Sequence, residues 1–275
     1  MRIFLTGASG QLGLALRRTL AAHDLVAPSE TEADISDPAI VSTIAAARPD
    51  LIVHTAAYTD VDGSEADPDR AFAVNARGSL HVAQGAAAVG ARLIAISTDY
   101  VYDGSKRSPY VETDPTSPLG VYGASKLEGE REMVKVLPGV TILRTAWLYG
   151  EGKNFVRTML RLAGERDELR VVDDQIGSPT SAADLAGAIV ALASRPASGV
   201  YHAVNAGSCS WYEFSKVILR LAGRSTRVVP IPSSELARPA KRPAHSVLDC
   251  GKLAALGIHL RPWEQALEEY LAGAR

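Results

Sequence analysis

Short runs of consecutive apolar residues alternate along this chain with longer stretches in which apolar residues recur every three or four positions. The short runs predict strands over 3–6, 25–27, 51–54, 92–97, 140–144, 170–172, 200–203 and 227–230. The longer stretches predict helices over 11–22, 38–47, 67–89, 122–136, 155–163, 182–193, 212–222 and 263–271. Continuous apolar strands that alternate with helices are typical of a parallel sheet covered by helices on both faces.

The alternation is regular up to about residue 150 and looser beyond it. It predicts an α/β fold with a doubly wound parallel sheet of the Rossmann type and a smaller C-terminal substrate-binding lobe. We expect the dinucleotide-binding domain over 1–150, with segments within about 170–203 returning to it, and mainly the lobe over 151–275. The stretch 102–119 is rich in Pro, Ser, Asp and Gly and predicts a long loop, which in a compact domain is often functional.

Composition and charge exclude several classes of protein. The formal net charge is −2, so we expect no general attraction to nucleic acid or to an anionic membrane. No run approaches the roughly 18 apolar residues that span a bilayer, and the N-terminus lacks the apolar region of a signal peptide. The two cysteines lie far apart without metal-ligand spacing. We therefore expect a soluble cytoplasmic protein with reduced thiols.

A glycine-rich turn joins the first predicted strand to the first predicted helix, with Gly7, Gly10 and Gly13 spaced three residues apart. In dinucleotide-binding turns the first glycine takes a tight backbone conformation, the second admits the pyrophosphate and the third packs the helix closely. The N-terminus of the helix then offers free N–H groups to the phosphates. Glycine turns also merely connect strands to helices, but this position after the first strand favours dinucleotide binding.

The end of the second strand indicates which dinucleotide binds. NAD-binding sites place an acidic residue there, against the ribose hydroxyls. Ser29 occupies that position, and Glu30 follows it. Arg17 and Arg18 on the first helix either hold a 2′-phosphate or are ordinary solvated side chains. We expect NADPH as the cofactor, with NADH tolerated.

Tyr122 and Lys126 lie four residues apart in a predicted helix, which places both on one helix face. A neighbouring ammonium stabilises a phenolate, so the spacing predicts that Lys126 lowers the pKa of Tyr122 towards the range used in acid–base catalysis. Thr98 ends the fourth strand, at the sheet edge where open α/β folds bind ligands. Its hydroxyl can bind the oxygen of a carbonyl group under reduction. Alternatively, Tyr122 and Lys126 are ordinary surface residues and Thr98 only ends its strand. The presence of the glycine turn in the same chain disfavours this alternative.

The glycine turn, the Tyr122–Lys126 pair and Thr98 together resemble the extended short-chain dehydrogenases/reductases. Further phrases resemble, more narrowly, the dTDP-4-dehydrorhamnose reductase family, and they occupy residues 56–62 (AAYTDVD), 97–104 (STDYVYDG), 121–127 (VYGASKL), 144–147 (RTAW), 154–155 (NF) and 174–180 (DQIGSPT). The resemblance extends from residue 1 to about residue 263. It implies an oxidoreductase that reduces the C4 keto group of dTDP-4-dehydro-L-rhamnose to give dTDP-L-rhamnose for cell-surface polysaccharide.

The resemblance also implies roles for individual residues. Tyr122 would donate a proton to the C4 oxygen, Lys126 would tune it and hold the nicotinamide ribose, and Thr98 would bind the same oxygen. The implied cofactor site comprises Gly7, Gly10, Gln11, Leu12, Gly13, Asp34, Ile35, Ala56, Ala57, Thr59 and Lys126. The implied substrate site comprises Val61, Thr98, Asp99, Tyr100, Tyr122, Trp147, Asn154 and Arg242. Asn75 either orients the active-site backbone or a water, or has no role.

The first helix departs from the family pattern, and several other functions are alternatives to the reductase. Some relatives dimerise through a magnesium ion held partly by an acidic residue on the first helix. Residues 14–17 here read LALR and contain no acid, so we expect no metal site. We expect either a monomer or a homodimer.

A 4,6-dehydratase would carry an acidic pair after the threonine, whereas Tyr100 follows Asp99. A non-catalytic nucleotide-sensing subunit typically loses the tyrosine or the lysine, and both are present. Another nucleotide-sugar 4-ketoreductase or a 4-epimerase stays open.

Overall fold

A computed structural model describes residues 1–195 and 197–273. The strands are β1 Arg2–Thr6, β2 Asp24–Val26, β3 Leu51–His54, β4 Arg92–Thr98, β5 Thr141–Thr145, β6 Leu148–Tyr149, β7 Glu168–Val172, β8 Ile176–Gly177, β9 Thr180–Ser181, β10 Gly199–His202, β11 Cys209–Ser210 and β12 Arg227–Ile231. The α-helices are α1 Gln11–Thr19, α2 Ile40–Ala47, α3 Val61–Ala66, α4 Pro68–Phe72, α5 Gly78–Val89, α6 Val121–Val136, α7 Phe155–Glu165, α8 Ala182–Ala193, α9 Trp211–Leu221, α10 Gly251–Ala254 and α11 Trp263–Gly273. A π-helical turn occupies Ala73–Arg77, and 3₁₀ turns occupy Asp99–Val101 and Ser233–Glu235.

Six parallel strands form the main sheet, in the order β2-β1-β3-β4-β5-β10. The chain adds β2 on one side of β1 and then returns to add β3 on the other. The direction of winding therefore reverses between β1 and β3, and a crevice forms there at the carboxyl ends of the strands. The predicted α/β doubly wound class is confirmed, and this crevice is where the fold itself favours a ligand.

Alternate residues of each strand enter two different cores, as the pleat of a strand requires. Ile3 and Leu5 of β1 contact one cluster, which includes buried residues of α1 and α8, whereas Phe4 between them contacts the other, which includes residues of α2, α5 and α6. Both faces of the sheet are thus covered by helices. Strands buried on both faces read as continuous apolar runs, which is why the sequence predicts them well.

The segments beyond residue 150 contribute to both parts of the molecule. β10 pairs with β5 in the main sheet, and α8 packs on α1. The short sheets β7–β12, β8–β11 and β6–β9 stand apart from the main sheet, and a third core includes buried residues of α7, α9 and α11. We retain as a proposal the division into a dinucleotide-binding domain over 1–150, joined by segments within 170–203, and a lobe formed mainly by 151–275.

The predicted helix over 67–89 is divided in the structure into α4, the π-helical turn and α5. Within the π-helical turn Asn75 is buried. A π-helical turn widens the helix by one residue and is frequent at functional sites. α3 precedes α4, and its N-cap is Asp60, whose side chain accepts a hydrogen bond from the Gly63 N–H. Along the described ranges no helix has the length and apolar character needed to cross a membrane.

Candidate active site

A cleft of about 610 Å³ lies along the carboxyl ends of β1, β3, β4 and β5. It brings together residues that are far apart in the sequence, from the glycine turn to the segment that follows β5. The predicted site residues in its lining are Gly7, Gly10, Gln11, Leu12, Gly13, Asp34, Ile35, Ala56, Ala57, Thr59, Val61, Thr98, Asp99, Tyr100, Tyr122, Lys126 and Trp147.

The glycine turn has the geometry of an anion-binding site. Gly7 has a φ of +69°, and a Cβ there would lie 2.6 Å from the backbone nitrogen of Ala56. A Cβ on Gly13 would lie 2.1 Å from the Gly7 carbonyl oxygen, so only glycine lets α1 pack this closely. Gly10 caps α1 without a side-chain hydrogen bond, and the first turn of α1 carries no acid. The N–H groups of that turn are therefore available to a pyrophosphate.

Thr98 and Tyr122 meet in the cleft because α6 approaches the end of β4 closely. A Cβ on Gly123 would lie 2.2 Å from the carbonyl oxygen of Tyr100, so the glycine beside Tyr122 permits this approach. The side chains of Tyr122 and Thr98 both line the cleft, and Thr98 lies close enough to the phenol to lower its pKa. The Thr98 hydroxyl also donates to Asp99 Oδ1 at 3.1 Å and accepts from the Tyr100 N–H at 3.2 Å. Two hydroxyl groups thus converge on one point of the cleft.

The pKa of Tyr122 differs from the expectation. Burial raises it to about 12, and the Thr98 hydroxyl lowers it only partly. Lys126 does not lower it: the ammonium donates to the carbonyl oxygen of Ile96 at 2.8 Å, and burial lowers the pKa of Lys126 itself to about 8. The predicted lowering is therefore wrong, because burial has the largest effect and the negative charge of Asp99 raises the pKa further. The phenol is protonated at neutral pH, which is the form that a proton donor needs.

Asp99 is buried next to the two hydroxyls, with 2% of its surface exposed. Burial raises the pKa of this carboxyl to about 6, and hydrogen bonds from Ser246 and Thr98 only partly offset the effect. Because the folded-state pKa lies above the unfolded value of 3.8, the stabilising contribution of the protonated carboxyl is complete below pH 3.8 and is lost as the pH rises through about 6. At neutral pH the folded chain therefore holds a buried carboxylate at a cost in stability.

We expect Asp99→Asn to stabilise the chain in a pH-dependent way. The amide does not ionise, so the variant should gain up to about 3 kcal/mol over wild type at pH 8, and little at pH 4. Urea unfolding at both values measures the gain. Asp103→Asn is the matched control, because hydrogen bonds from Ser105 and Tyr110 lower the pKa of that partly exposed carboxyl and the variant should gain nothing at pH 8. An equal gain for Asp99→Asn at both values would contradict the account.

Asn75 in the π-helical turn connects the segment that follows β3 to α6 through hydrogen bonds. Its Oδ1 accepts from the Tyr58 N–H at 2.9 Å, and its Nδ2 donates to the Tyr58 carbonyl at 3.0 Å and to Ser125 Oγ at 3.0 Å. Ser125 Oγ in turn donates to the Tyr122 carbonyl at 2.9 Å. Of the roles considered for Asn75, these contacts favour the orientation of the active-site backbone.

Two predicted substrate residues lie outside the lining of the cleft. Arg242 forms a two-pronged ion pair with Asp62, at 3.1 Å and 2.8 Å, and lies near Tyr100, whose ring packs edge-on to Tyr122. Asn154 caps α7, where its Oδ1 accepts from the Arg157 N–H and its Nδ2 donates to the Gly150 carbonyl. Direct contact of either residue with a substrate stays a prediction.

The structure also brings into the cleft residues that the sequence reasoning missed. They include Ser9, Thr55, Thr145, Leu148 and Lys153. Thr55 follows β3 and Thr145 ends β5, so the strand-end rule that identified Thr98 also points to them. Ser29 and Glu30 line the cleft, but neither Arg17 nor Arg18 does, and Arg18 pairs with Glu151. Among the described residues no group of three or more His, Cys, Asp or Glu side chains suits a metal ion.

Polar atoms in the lining fit a bound dinucleotide and a polar substrate. Gln11 Oε1 and Thr145 Oγ1 are buried and have no hydrogen-bond partner among the described residues. Buried polar atoms are normally paired, so unpaired ones in a cleft indicate groups that bind a ligand. Together with the N-terminus of α1 and the paired hydroxyls, they describe a site for a phosphate-bearing cofactor next to a carbonyl compound.

Comparison with known proteins adds independent information. The family model for the RmlD substrate binding domain matches residues 1–275. The chain is 42% identical over 274 residues to the spore coat polysaccharide biosynthesis protein SpsK of Bacillus subtilis, covering 98% of this chain and 96% of that protein. It is 43% identical over 281 residues to the dTDP-4-dehydrorhamnose reductase of Sinorhizobium fredii, covering 97% and 95%. A crystal structure of the dTDP-4-dehydrorhamnose reductase from Bacillus anthracis in complex with NADP matches with a TM-score of 0.96 and 40% identity, covering 99% of both chains.

Proposed function

Because this chain belongs to the RmlD substrate binding domain family, we propose that it reduces the C4 keto group of dTDP-4-dehydro-L-rhamnose with NADPH. The product is dTDP-L-rhamnose, for cell-surface polysaccharide. The reductase named among its relatives and the NADP complex of a near structural neighbour support the substrate and the cofactor. The observation that carries the proposal is the pair of hydroxyls of Thr98 and Tyr122 in the cleft that begins at the glycine turn.

The cofactor would extend along the cleft from the glycine turn to Lys126. The N-terminus of α1 and Gly10 would hold the pyrophosphate, and Asp34 and Ile35 would border the adenine end. Other cofactor-site residues are Gly7, Gln11, Leu12, Gly13, Ala56, Ala57 and Thr59. When bound, the nicotinamide supplies the hydride that adds to C4 of the sugar.

Thr98 and Tyr122 would act on the carbonyl oxygen. With the Thr98 proton turned from Asp99 Oδ1 to that oxygen, both hydroxyls would donate to it, so negative charge that develops there meets two donors in a largely buried site. Tyr122 then donates its phenolic proton to the oxygen, which completes the alcohol. Its raised pKa keeps the proton in place until that charge develops. Lys126, which follows Tyr122 by about one turn of α6, would hold the nicotinamide ribose.

The substrate end of the cleft would be formed by Val61, Asp99, Tyr100 and Trp147, with Asn154 and Arg242 as outer residues. Asp99 followed by Tyr100, and not by an acid, favours reduction over the elimination chemistry of a 4,6-dehydratase. We further propose a cytoplasmic enzyme that acts as a monomer or a homodimer. A formal net charge of −2 supports the absence of nucleic-acid binding, and Cys209 and Cys250, both free, suit a reducing compartment.

Cofactor absorbance tests the proposal. NADPH and NADH are each incubated with the chain and dTDP-4-dehydro-L-rhamnose, beside UDP- and GDP-linked 4-keto sugars as matched controls. We expect stoichiometric oxidation with the dTDP substrate, faster with NADPH than with NADH, and little oxidation with the controls. Conversion of the dTDP sugar without added cofactor would favour a 4-epimerase, and no conversion of any sugar would remove the proposal.

A further inference from the structure

We propose that Trp211 and Gly177 position the indole of Trp147 and thereby set the KM for the keto sugar. The inference rests on the proposed function, in which Trp147 forms a wall at the sugar end of the cleft. Trp147 lines the cleft, whereas Trp211 and Gly177 lie behind it and do not. Both would therefore be positioning residues that act through Trp147.

The backbone of Trp147 is strained. Its φ is +45°, and within residues 1–195 and 197–273 only one other non-glycine residue, Arg48, has a positive φ. A bulky aromatic residue is seldom found in this region, because its Cβ crowds the backbone, and it persists there only when the surroundings hold it. The strain lies in the short link between β5 and β6, where Trp147 accepts a backbone hydrogen bond from the Thr180 N–H at 3.2 Å.

Trp211 holds one face of the Trp147 ring. The two indoles stack almost in parallel, with centroids 3.5 Å apart and an interplanar angle of 9°. Trp211 is the first residue of α9, and its own ring also packs on Phe155, with centroids 4.4 Å apart. The start of α9 is fixed by a capping box in which the side chains of Ser210 and Glu213 each accept from the other's backbone N–H. The support for Trp147 is therefore itself rigid.

Gly177 holds a second side of the ring. A Cβ on Gly177 would lie 2.5 Å from Cε2 of Trp147 and 2.6 Å from its Nε1, so any side chain there would displace the indole. Gly177 pairs with Cys209 in the β8–β11 ladder, and β11 leads directly into Trp211. β8 and α9 are thus connected through β11, and both contact Trp147: α9 through the ring of Trp211 and β8 through the backbone of Gly177.

This arrangement separates the fit of the sugar from the chemistry. Thr98 and Tyr122 belong to β4, a strand of the main sheet, and to α6, which packs against it, whereas Gly177 and Trp211 belong to the separate β8–β11 sheet and to the helix that follows it. Displacement of the indole changes the wall against which the sugar binds. It leaves the two hydroxyls and the glycine turn in place. Loss of a support should therefore raise KM and leave kcat and the affinity for NADPH nearly unchanged.

The test compares Trp211→Leu, Gly177→Ala and Trp211→Phe with wild type. Removal of one aromatic stacking partner should raise the KM for dTDP-4-dehydro-L-rhamnose about three- to tenfold. We expect this rise for Trp211→Leu and Gly177→Ala, with kcat changed less than about twofold and the Kd of NADPH, measured by calorimetry, unchanged. Phenylalanine still stacks on Trp147, so Trp211→Phe should restore most of the wild-type KM.

Trp263→Leu is the matched control, with Trp263→Phe in its place if the leucine variant does not fold. Trp263 is 4% exposed in the same core and packs edge-on to Phe214. Its loss should lower Tm and leave KM unchanged. An unchanged KM in the folded Trp211→Leu and Gly177→Ala variants, or an equal rise in the Trp263 variant, would overturn the inference alone. A wild-type chain that is inactive with the keto sugar would overturn the proposed function and the inference with it.

Discussion

Tyr122→Phe should lower kcat by about 10²- to 10⁴-fold, the range typical for loss of a general acid. Phenylalanine keeps the ring in its buried position but removes the only proton that the account assigns to the C4 oxygen. Thr98 still binds that oxygen, so some activity should survive. The Kd of NADPH should stay within about twofold of wild type, because the phenol's role begins only as charge develops on the oxygen.

Tyr100→Phe is the matched control for this variant. Tyr100 lines the same cleft, and its ring packs edge-on to Tyr122 with centroids 5.5 Å apart. Its phenol lies close enough to Arg242 to raise the pKa of that guanidinium. Loss of that hydroxyl should change KM more than kcat. Steady-state kinetics with the dTDP substrate separate the two variants, and a kcat for Tyr122→Phe within tenfold of wild type would remove Tyr122 as the proton donor.

The second large effect concerns a buried ion pair beneath the cleft. Glu130 and Arg144 each have 5% of the side chain exposed, and they bind through two contacts, at 2.9 Å and 2.6 Å. Ser97, next to Thr98, also donates to Glu130. Arg144 donates in addition to the Tyr102 hydroxyl at 2.7 Å. The pair thus links β4, β5 and α6 under the site.

Glu130→Ala should lower the free energy of unfolding by about 3–5 kcal/mol, because it leaves the Arg144 guanidinium buried without a counter-charge. Urea unfolding at pH 7 measures the loss. The matched control is Glu165→Ala, which breaks the exposed pair with Arg161 within one helix and should cost less than about 1 kcal/mol. Similar losses for the two variants would show that burial does not determine how much the Glu130–Arg144 pair contributes to the free energy of unfolding.

The double variant Glu130→Leu with Arg144→Met sharpens this experiment. It removes both charges at once and replaces them with apolar groups of similar volume, so it should recover a large part of the stability that Glu130→Ala loses. Full recovery is not expected, because Ser97 and Tyr102 lose hydrogen-bond partners. A double variant less stable than Glu130→Ala would indicate that the pair itself, and not the stranded charge, carries the stability.

The sequence predicts those parts of the fold that have a strong local pattern. The central strands β1, β3, β4 and β5 contain continuous apolar runs, because both faces of the sheet are buried there. α3 has no such pattern: its sequence VDGSEA is polar and contains a glycine, and its start depends on the Asp60 cap. β6, β8, β9 and β11 are two residues long, too short for any period to appear. The π-helical turn cannot be read from periodicity, since its residues also suit an α-helix.

The same distinction applies to the candidate site, where only features with a local sequence pattern can be predicted. Tyr122, Lys126 and the glycine turn are recognisable because their chemistry depends on spacing along one short segment. The raised pKa of Tyr122 depends on burial by distant parts of the chain, so the spacing to Lys126 alone predicts the wrong direction of the shift. The stack of Trp147 on Trp211 joins residues 64 positions apart, as their sequence numbers show, so no local pattern reveals it.

The central claim is that a hydride passes from NADPH to C4 of the sugar in the cleft where Thr98 and Tyr122 bind the oxygen. The most direct test uses NADPH dideuterated at C4 of the nicotinamide, with dTDP-4-dehydro-L-rhamnose and the wild-type chain, followed by mass spectrometry and proton NMR of the product. We expect dTDP-L-rhamnose with a single deuterium at C4 and one oxidised cofactor per product. A product without deuterium, or a converted sugar with no consumption of NADPH, would contradict it.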